Sequence, residues 1–193
     1  MTRPELSHQR LFVSIPIETG INQELNRFQQ RLATGLPKGK IRWVHSTNRH
    51  ITLIFLGDTP MPSARIISLI DEAALSTPPF ALPLGSPGAF PSPHRPRVIW
   101  LGLDDPLRHC LHLRDSLRLK LDPPMDTQAE KRFIPHLTLG RVRPEGRITE
   151  FDWKLKTAPL QLEVKEVQLI CSRLTPSGPL YTCLHRSRLR RKN

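Results

Sequence analysis

Two short segments of this chain repeat one pattern, His-x-Thr-x with apolar residues at both x positions, at residues 50–53 and 136–139. Successive side chains of an extended strand point to opposite faces. The histidine and threonine of each copy therefore share one face, and its two apolar residues share the other. The pattern predicts two strands that each carry an imidazole beside a hydroxyl, above a buried apolar face.

Two histidines can divide acid–base work, because the charge of this side chain changes between about pH 5 and 8. In-line displacement at phosphorus needs that division: one imidazole deprotonates the incoming nucleophile, and the other protonates the departing oxygen. Hydroxyls and guanidinium groups then hold the non-bridging oxygens. Thr52 and Thr138 supply the hydroxyls. Arg141 is a candidate guanidinium, but its parity is opposite to that of His136, so it needs a bend, which Gly140 makes plausible.

The sequence shows no ligand set for a metal or a cofactor. No carboxylate accompanies either segment and no metal-ligand spacing appears, so we expect metal-free chemistry and no cofactor. His109 and His112 have helical i, i+3 spacing but lack a third ligand, which favours a surface or partly buried role. Cys110, Cys171 and Cys183 include no CxxC pair, and we expect buried, unreactive thiols in a reducing compartment.

The chain of 193 residues is strongly basic, with 29 Lys and Arg, a net charge of +12 and a pI near 10.6. Most of the basic residues are Arg, whose planar fork suits phosphate, so the charge favours polyanionic partners. Genomic base composition is an alternative source of the Arg and Pro enrichment. The first ten residues lack an apolar signal core, and no run approaches the roughly twenty apolar residues of a membrane span. We therefore expect a cytoplasmic protein with no membrane partner.

Apolar periodicity places the two segments among strands and helices. Helical spacing indicates helices at 19–34, at 63–74 and from Asp104 or Asp105 to 121, the last with Leu107, Leu111, Leu113 or Arg114, and Leu117 inside. Besides the His-x-Thr strands, β-branched and alternating runs indicate strands at 11–17, 41–44, 80–84, 97–103, 160–164, 166–172 and 180–185. The strand at 80–84 is expected at a sheet edge, and residues 85–96 are expected to be mostly loop. This order predicts an α+β fold rather than a doubly wound parallel sheet.

The two His-x-Thr strands hint at an internal duplication, in which each half contributes a sheet with a helix behind it. A chain of this length can form one or two small domains, and residues 1–185 are interpreted as a single domain. Residues 186–193 are interpreted as a basic, frayed C-terminal tail.

Beyond these segments, the chain resembles the two-histidine phosphoesterase superfamily, and specifically its bacterial and archaeal RNA 2′,3′-cyclic phosphodiesterase branch, historically called 2′-5′ RNA ligase. The resemblance rests on RLFVSIPI (10–17), RWV (42–44), NRHITLIFLG (48–57), AFPSP (89–93), RPRVIWLG (95–102), FIPHLTLGRV (133–142) and SRLTPSGPLYT (172–182). It implies a bilobal α+β fold in which two pseudo-symmetric, mostly antiparallel sheet-plus-helix lobes surround a central cleft. It also implies hydrolysis of a 2′,3′-cyclic phosphate to a 2′-phosphomonoester.

The resemblance also implies roles for the motif residues. His50 matches the histidine that donates a proton to the leaving 3′ oxygen, and His136 matches the one that accepts a proton from water. Thr52, Thr138 and Arg141 match positions that grip the phosphate. The implied partners are RNA ends or nucleotides that bear a 2′,3′-cyclic phosphate. A monomer is expected, since a bilobal enzyme of this size can close its cleft within one chain.

Four further residues are candidates for contacts with the rest of the substrate. Phe12 and Trp43 would stack on a base or pack in the core, and core packing is favoured. Arg97 and Arg132 would steer RNA or lie in solvated loops. Two alternative functions stay open: the reverse reaction, which joins RNA ends through a 2′-5′ bond, and RNA binding without catalysis.

Overall fold

The structure, a computed structural model, describes residues 9–59, 64–122, 133–146, 148, 153–176 and 178–190. Within these residues the chain forms nine strands and three helices. The strands are β1 (Gln9–Pro16), β2 (Ile41–Trp43), β3 (His50–Thr59), β4 (Phe80–Phe90), β5 (Val98–Leu103), β6 (His136–Val142), β7 (Gln161–Val164), β8 (Glu166–Thr175) and β9 (Gly178–Arg188). The helices are α1 (Thr19–Thr34), α2 (Ala64–Leu75) and α3 (His109–Leu121).

The strands form two sheets, and every pairing among the described residues is antiparallel. One sheet has the order β3-β1-β8-β9, and the other has the order β2-β6-β5-β4-β7. The two His-x-Thr strands, β3 and β6, belong to different sheets, yet Cα atoms of the two strands come within 8 Å of each other. The motifs therefore meet where the sheets meet, which confirms the expected α+β fold with two antiparallel lobes around a central cleft.

The helices follow the predicted apolar spacing, except at the start of α3. The buried residues of α1 are Ile21, Leu25, Phe28 and Leu32, as predicted. The Asp105 carboxylate accepts hydrogen bonds from the backbone N–H groups of Cys110 and Leu111 at 3.0 and 3.3 Å, which satisfies donors that a helix N-terminus leaves unpaired. Leu107 precedes this helix and is 70% exposed, not buried as predicted. No helix in the described part of the chain has the length and apolar content to cross a bilayer.

The apolar residues of both motifs anchor the two strands in one continuous core. Ile51, Leu53, Leu137 and Leu139 are each at most 3% exposed. They share that core with buried residues from all three helices. Burying a side chain of this size stabilises a fold by about 1.5–3 kcal/mol relative to leaving it exposed. The two buried apolar residues of each motif therefore hold its strand in place, so that the histidine and threonine of the same motif face the cleft.

β4 differs from the prediction, because residues 85–90 continue the strand instead of forming a loop. The strand also lies between β5 and β7 rather than at a sheet edge. β4 changes partner along its length: residues 80–83 pair with β7, whereas Leu84 and, after an irregularity, residues 87–90 pair with β5. Each of the two prolines therefore lies at an end of a paired stretch. Gly88 permits the second pairing, since an added Cβ there would lie 2.3 Å from the Trp100 ring.

The C-terminal segment is more structured than the expected frayed tail. β9 continues through Arg188, into the stretch from residue 186 that was interpreted as tail. Ser187 and Leu189 are only 2% and 3% exposed. Residues 186–189 therefore belong to the folded domain.

The three cysteines differ in exposure. Cys110 is buried, as expected, whereas Cys171 is half-buried and Cys183 is exposed. Burial raises the pKa of the Cys110 thiol, which keeps it protonated and unreactive. The expectation of buried, unreactive thiols therefore holds for Cys110 alone.

Candidate active site

His50 opens β3, and Arg49 separates it from a 3-10 turn at Ser46–Asn48. Its Nδ1 lies 2.8 Å from the carbonyl oxygen of Asn48, two residues earlier. The imidazole lies against Phe12 of β1, with 4.8 Å between ring centroids, and against Tyr181 of β9, with 5.3 Å in an edge-on contact. The backbone and two aromatic rings therefore fix the orientation of this imidazole.

His136 repeats this arrangement at the start of β6. Its Nδ1 lies 2.8 Å from the carbonyl oxygen of Ile134, again two residues earlier. Its ring contacts Phe90 of β4 at 5.0 Å and Trp100 of β5 at 6.1 Å between centroids. Each sheet thus supplies one histidine that its own backbone orients and two aromatic rings support.

The backbone contacts determine which ring nitrogen of each histidine is free to react. A carbonyl oxygen only accepts, so Nδ1 carries the proton in both residues and Nε2 is left to take or give one. Burial lowers the pKa of His50 below 6.5, the Asn48 hydrogen bond raises it, and the charges of His136 and Arg141 lower it. Burial likewise lowers the pKa of His136, against its own backbone hydrogen bond, and Arg141 lowers it further. The lowered pKa values therefore favour the neutral form of both imidazoles at pH 7 in the unliganded site.

A β-bulge brings Arg141 to the same face as His136. Thr138 and Gly140 lie opposite consecutive residues of β5, so Leu139 is an extra residue on β6. One extra residue moves every later side chain of the strand to the face opposite the one that regular alternation predicts. Arg141 therefore shares the cleft face, and its charge acts on both histidines. The bend that Arg141 requires is thus a bulge centred on Leu139.

Gly140 serves a different purpose from the predicted bend, because it makes room for β2. An added Cβ at this position would lie 2.8 Å from Ile41 and 3.0 Å from the ring of Trp43. Trp43 is half-buried and packs against the apolar core. These contacts favour the core interpretation of Trp43 over base stacking.

β3 carries a bulge at the equivalent place in its own motif. Thr52 and Ile54 lie opposite consecutive residues of β1, so Leu53 is an extra residue on β3. Phe55 therefore occupies the position on β3 that Arg141 occupies on β6. The Phe55 side chain is 59% exposed. One motif strand thus presents an exposed apolar ring at this level of the cleft, and the other presents a guanidinium.

A second arginine, Arg42 of β2, lies directly opposite Arg141 in the β2–β6 pairing. Burial raises the pKa of Tyr181, on the other sheet, and the charges of both arginines lower it, so both lie near that ring. Like charges placed directly opposite each other destabilise a sheet. Neither arginine forms an ion pair with an acidic side chain in the described residues. The pair is therefore suited to binding an anion.

The remaining predicted site residues divide into three groups. Thr52 and Thr138 are half-buried on the faces that carry the histidines, as the motif requires. Phe12 is 3% exposed and supports the first imidazole, so it has no free face for a base. Arg97 is exposed just before β5, and no contact within the described part of the chain ties its side chain to either histidine. Arg132 lies outside the described residues.

Sequence reasoning assigned no role to Tyr181, Phe90, Trp100 or Arg42, although all four lie in the stretches that carry the family resemblance. Strand alternation gives the parity of each of these residues. It does not give the order of strands in the sheets, which decides whether the face that carries these residues lines the cleft. The carbonyl groups that orient the two histidines belong to the backbone, so no side-chain pattern marks them.

Taken together, the cleft gathers two imidazoles with reactive Nε2 atoms, two hydroxyls and two guanidinium groups. Such a set can bind a phosphate group and move protons on opposite sides of it. Across the described residues, no group of three or more His, Cys, Asp or Glu side chains is placed to hold a metal ion.

Comparison with known proteins gives consistent matches over almost the whole chain. The family model described as the 2′-5′ RNA ligase superfamily matches residues 43–174. A relative from Methanothermobacter thermautotrophicus, named RNA 2′,3′-cyclic phosphodiesterase, is 31% identical over 185 residues, which cover 93% of this chain and 98% of the relative. Relatives of the same name from Aquifex aeolicus and Escherichia coli are 32% and 29% identical, covering 90% and 87% of this chain and 93% of each relative.

Solved structures extend these matches to the fold. A protein of Thermus thermophilus superposes with a TM-score of 0.75 at 27% identity, covering 95% of this chain and 100% of that chain. Escherichia coli LigT complexed with 3′-AMP superposes with a TM-score of 0.73 at 27% identity, covering 94% and 98%. The region that matches the family model contains both His-x-Thr segments. The chain therefore belongs to the 2′-5′ RNA ligase superfamily.

Proposed function

We propose that this protein hydrolyses the 2′,3′-cyclic phosphate of an RNA end or a nucleotide to a 2′-phosphomonoester, without a metal ion. The observation that carries the proposal is the pair of imidazoles on β3 and β6, each with Nδ1 bonded to a backbone carbonyl. Two Nε2 atoms are thereby left to exchange protons beside hydroxyls and guanidinium groups. The names of the relatives, and the LigT structure with 3′-AMP, support the same substrate class.

In the proposed reaction, Nε2 of neutral His136 takes a proton from water as the water oxygen attacks phosphorus. The bond from phosphorus to the 3′ oxygen breaks on the opposite side, and protonated His50 gives its Nε2 proton to that oxygen. Thr52, Thr138 and Arg141 hold the non-bridging oxygens, whose charge rises in the transition state. The product carries a 2′-phosphate and a 3′-hydroxyl, and the proton on His136 returns to solvent.

The acid of this mechanism depends on the substrate for its proton. In the unliganded cleft, burial and the charges of His136 and Arg141 lower the pKa of His50 and favour its neutral form. A bound phosphate offsets the charge of Arg141 and favours the protonated imidazole. Substrate binding therefore prepares His50 to act as the acid.

Two alternative functions, RNA ligation and RNA binding without catalysis, differ from hydrolysis in the product that they form. Joining RNA ends through a 2′-5′ bond shares the transition state, so substrate and water concentrations decide between the two directions. RNA binding without turnover would use the basic surface and give no product. We also propose a monomer, since one chain supplies an imidazole on each side of the cleft, and a reducing compartment such as the cytoplasm, which suits the free cysteines.

The test is incubation of a nucleoside 2′,3′-cyclic phosphate with the protein in a metal chelator, followed by phosphorus NMR. We expect a 2′-monophosphate, and we expect His50→Ala and His136→Ala each to lower kcat by about 10²–10⁴-fold. His94→Ala is the matched control, because His94 is exposed in the loop after β4. A 3′-phosphate product, loss of activity in chelator, or full activity in either catalytic variant would contradict the proposal.

A further inference from the structure

A cavity of ≈ 170 Å³ lies on the His50 side of the cleft and is partly open to solvent. Its polar lining includes Ser14, Asn22, Asn48, Arg49, His50 and Gln168. An engineered cavity of roughly 150 Å³ accommodates benzene, so this space can hold a group larger than one water molecule. His136 does not line the cavity, so the cavity lies to one side of the proposed reaction centre.

Arg49 brings a buried positive charge to this cavity, and no carboxylate among the described residues pairs with it. The residue is 5% exposed. Nη1 donates to the carbonyl and Oδ1 of Asn22 at 3.3 and 3.2 Å, and Nη2 donates to Oε1 of Gln29 at 2.7 Å, so all these partners are neutral. The buried Nε–H has no partner in the described residues. A buried cation without a counter-charge is costly, and a bound anion would remove that cost.

Ser14 adds a second unpaired donor to the same lining. The residue is 1% exposed, and its Oγ has no hydrogen-bond partner in the described residues. It lies directly opposite Gln168 in the β1–β8 pairing. An oxyanion in the cavity would accept from the Ser14 hydroxyl and from Arg49 Nε, two buried groups of this lining that have no hydrogen-bond partner in the described residues.

We propose that this cavity binds the phosphate attached to the 5′ oxygen of the nucleotide whose cyclic phosphate is hydrolysed. The inference rests on the proposed function, in which His50 protonates the 3′ oxygen. Attacking and leaving oxygens lie on opposite sides of phosphorus in an in-line displacement, so the ribose lies on the His50 side. The next phosphate along that nucleotide is the 5′ one, and the buried cation of Arg49 directly precedes His50 in the chain. The preferred substrate is then an RNA 3′ end that bears a cyclic phosphate, rather than a nucleoside 2′,3′-cyclic phosphate that lacks a 5′ phosphate.

The test compares adenosine 2′,3′-cyclic phosphate with its 5′-phosphorylated form as substrates. In the unmodified protein, kcat/KM should be at least about tenfold higher for the 5′-phosphorylated substrate, as expected for charge-assisted hydrogen bonds. Arg49→Gln should reduce that preference to less than about twofold. Arg27→Gln, which removes an equal charge from an exposed position on α1, should leave the preference intact.

A second variant guards against a folding defect in Arg49→Gln, whose guanidinium also ties β3 to α1. Ser14→Ala removes an unpaired buried hydroxyl, so it should keep or raise the midpoint of urea unfolding while it lowers the preference severalfold. Equal kcat/KM for the two substrates in the unmodified protein would overturn the proposal. So would an equal loss on both substrates in the two variants.

Direct binding separates failure of the subsite from failure of the proposed hydrolysis. If neither substrate is hydrolysed, the proposed function fails, and calorimetric titration with 5′-AMP still tests the cavity. Kd for 5′-AMP should rise about tenfold or more in Arg49→Gln and remain unchanged in Arg27→Gln. No detectable 5′-AMP binding to the unmodified protein, or the same Kd in both variants, would refute the subsite.

Discussion

Replacing Gly88 with alanine should displace the aromatic support of His136. Gly88 of β4 lies directly opposite Trp100 of β5. A Cβ at position 88 would lie 2.3 Å from Cη2 and 2.4 Å from Cζ2 of the indole, whereas ordinary contacts begin at 3.4 Å. The indole must therefore retreat by about 1.1 Å, the difference between 3.4 and 2.3 Å.

That displacement should lower both stability and activity. Trp100 lies 6.1 Å from His136 and 5.1 Å from Phe90, which itself contacts His136 at 5.0 Å between centroids. Overpacking of a filled site typically costs about 1–3 kcal/mol of the free energy of unfolding. A misplacement of about 1 Å near the reaction can cost on the order of 10²-fold in rate. We expect Gly88→Ala to remain folded and to lose about ten- to a hundredfold in kcat/KM.

The assay pairs urea unfolding, followed by circular dichroism, with kcat/KM on a 2′,3′-cyclic phosphate. Gly20→Ala is the matched control, because an added Cβ there meets nothing within 4 Å in the first turn of α1. That substitution should be neutral or stabilising by about 0.4–1 kcal/mol and should not alter kcat/KM.

A double variant isolates the cause of the loss. Trp100→Phe shortens the ring that overlaps position 88, and it removes an indole N–H that has no partner in the described residues. Gly88→Ala combined with Trp100→Phe should therefore be more stable than the sum of the two single changes predicts. Strictly additive losses, or a Gly88→Ala variant that behaves like Gly20→Ala, would refute this reasoning.

Three further predictions follow from the cleft, and a fourth from the thiols. The pH profile of kcat/KM should be bell-shaped, with the pKa values of both limbs below 6.5. Activity should fall above the pKa of the proposed acid, His50, which then loses its proton, and below the pKa of the proposed base, His136, which then gains one. Stability in urea should fall as the pH drops below 6.5, since the unfolded chain then binds protons that folded His50 and His136 resist; a flat response would contradict the direction of both pKa shifts. Arg141→Gln should lower kcat/KM by about 10–100-fold and raise the pKa of both histidines in an NMR titration, and unchanged titrations would argue against its place on the cleft face. Ellman's reagent should modify Cys183 in the folded protein but Cys110 only on unfolding, and rapid labelling of Cys110 would contradict its burial.

The motif strands and the helices were predictable, because periodicity of 2 and of 3.6 reports directly which face of an element is buried. Ile51 and Leu137 lie in the core for that reason. The start of α3 was missed, since Leu107 fits the helical spacing while the Asp105 carboxylate caps a helix that begins later. Periodicity identifies a face, but it does not locate the first hydrogen-bonded turn.

Features that depend on pairing between distant strands could not be predicted. The bulge at Leu139 is visible only in the register of β6 against β5, and it alone decides that Arg141 faces the cleft. The glycines and prolines at 83–88 favoured a loop, yet they allow β4 to exchange one partner strand for another. Arg49 was overlooked beside His50, because nothing in the sequence indicates that its charge is buried with no carboxylate of the described residues to pair with it.

The matched bulges on β3 and β6 have a consequence for substrate polarity. Two imidazoles of nearly equal environment would not by themselves distinguish the two orientations of a bound cyclic phosphate. The same one-residue insertion brings Phe55 forward on one strand and Arg141 on the other. A near twofold arrangement thereby acquires one apolar rim, at Phe55, and one cationic rim, at Arg141, so the two ends of a bound cyclic phosphate would meet different surfaces.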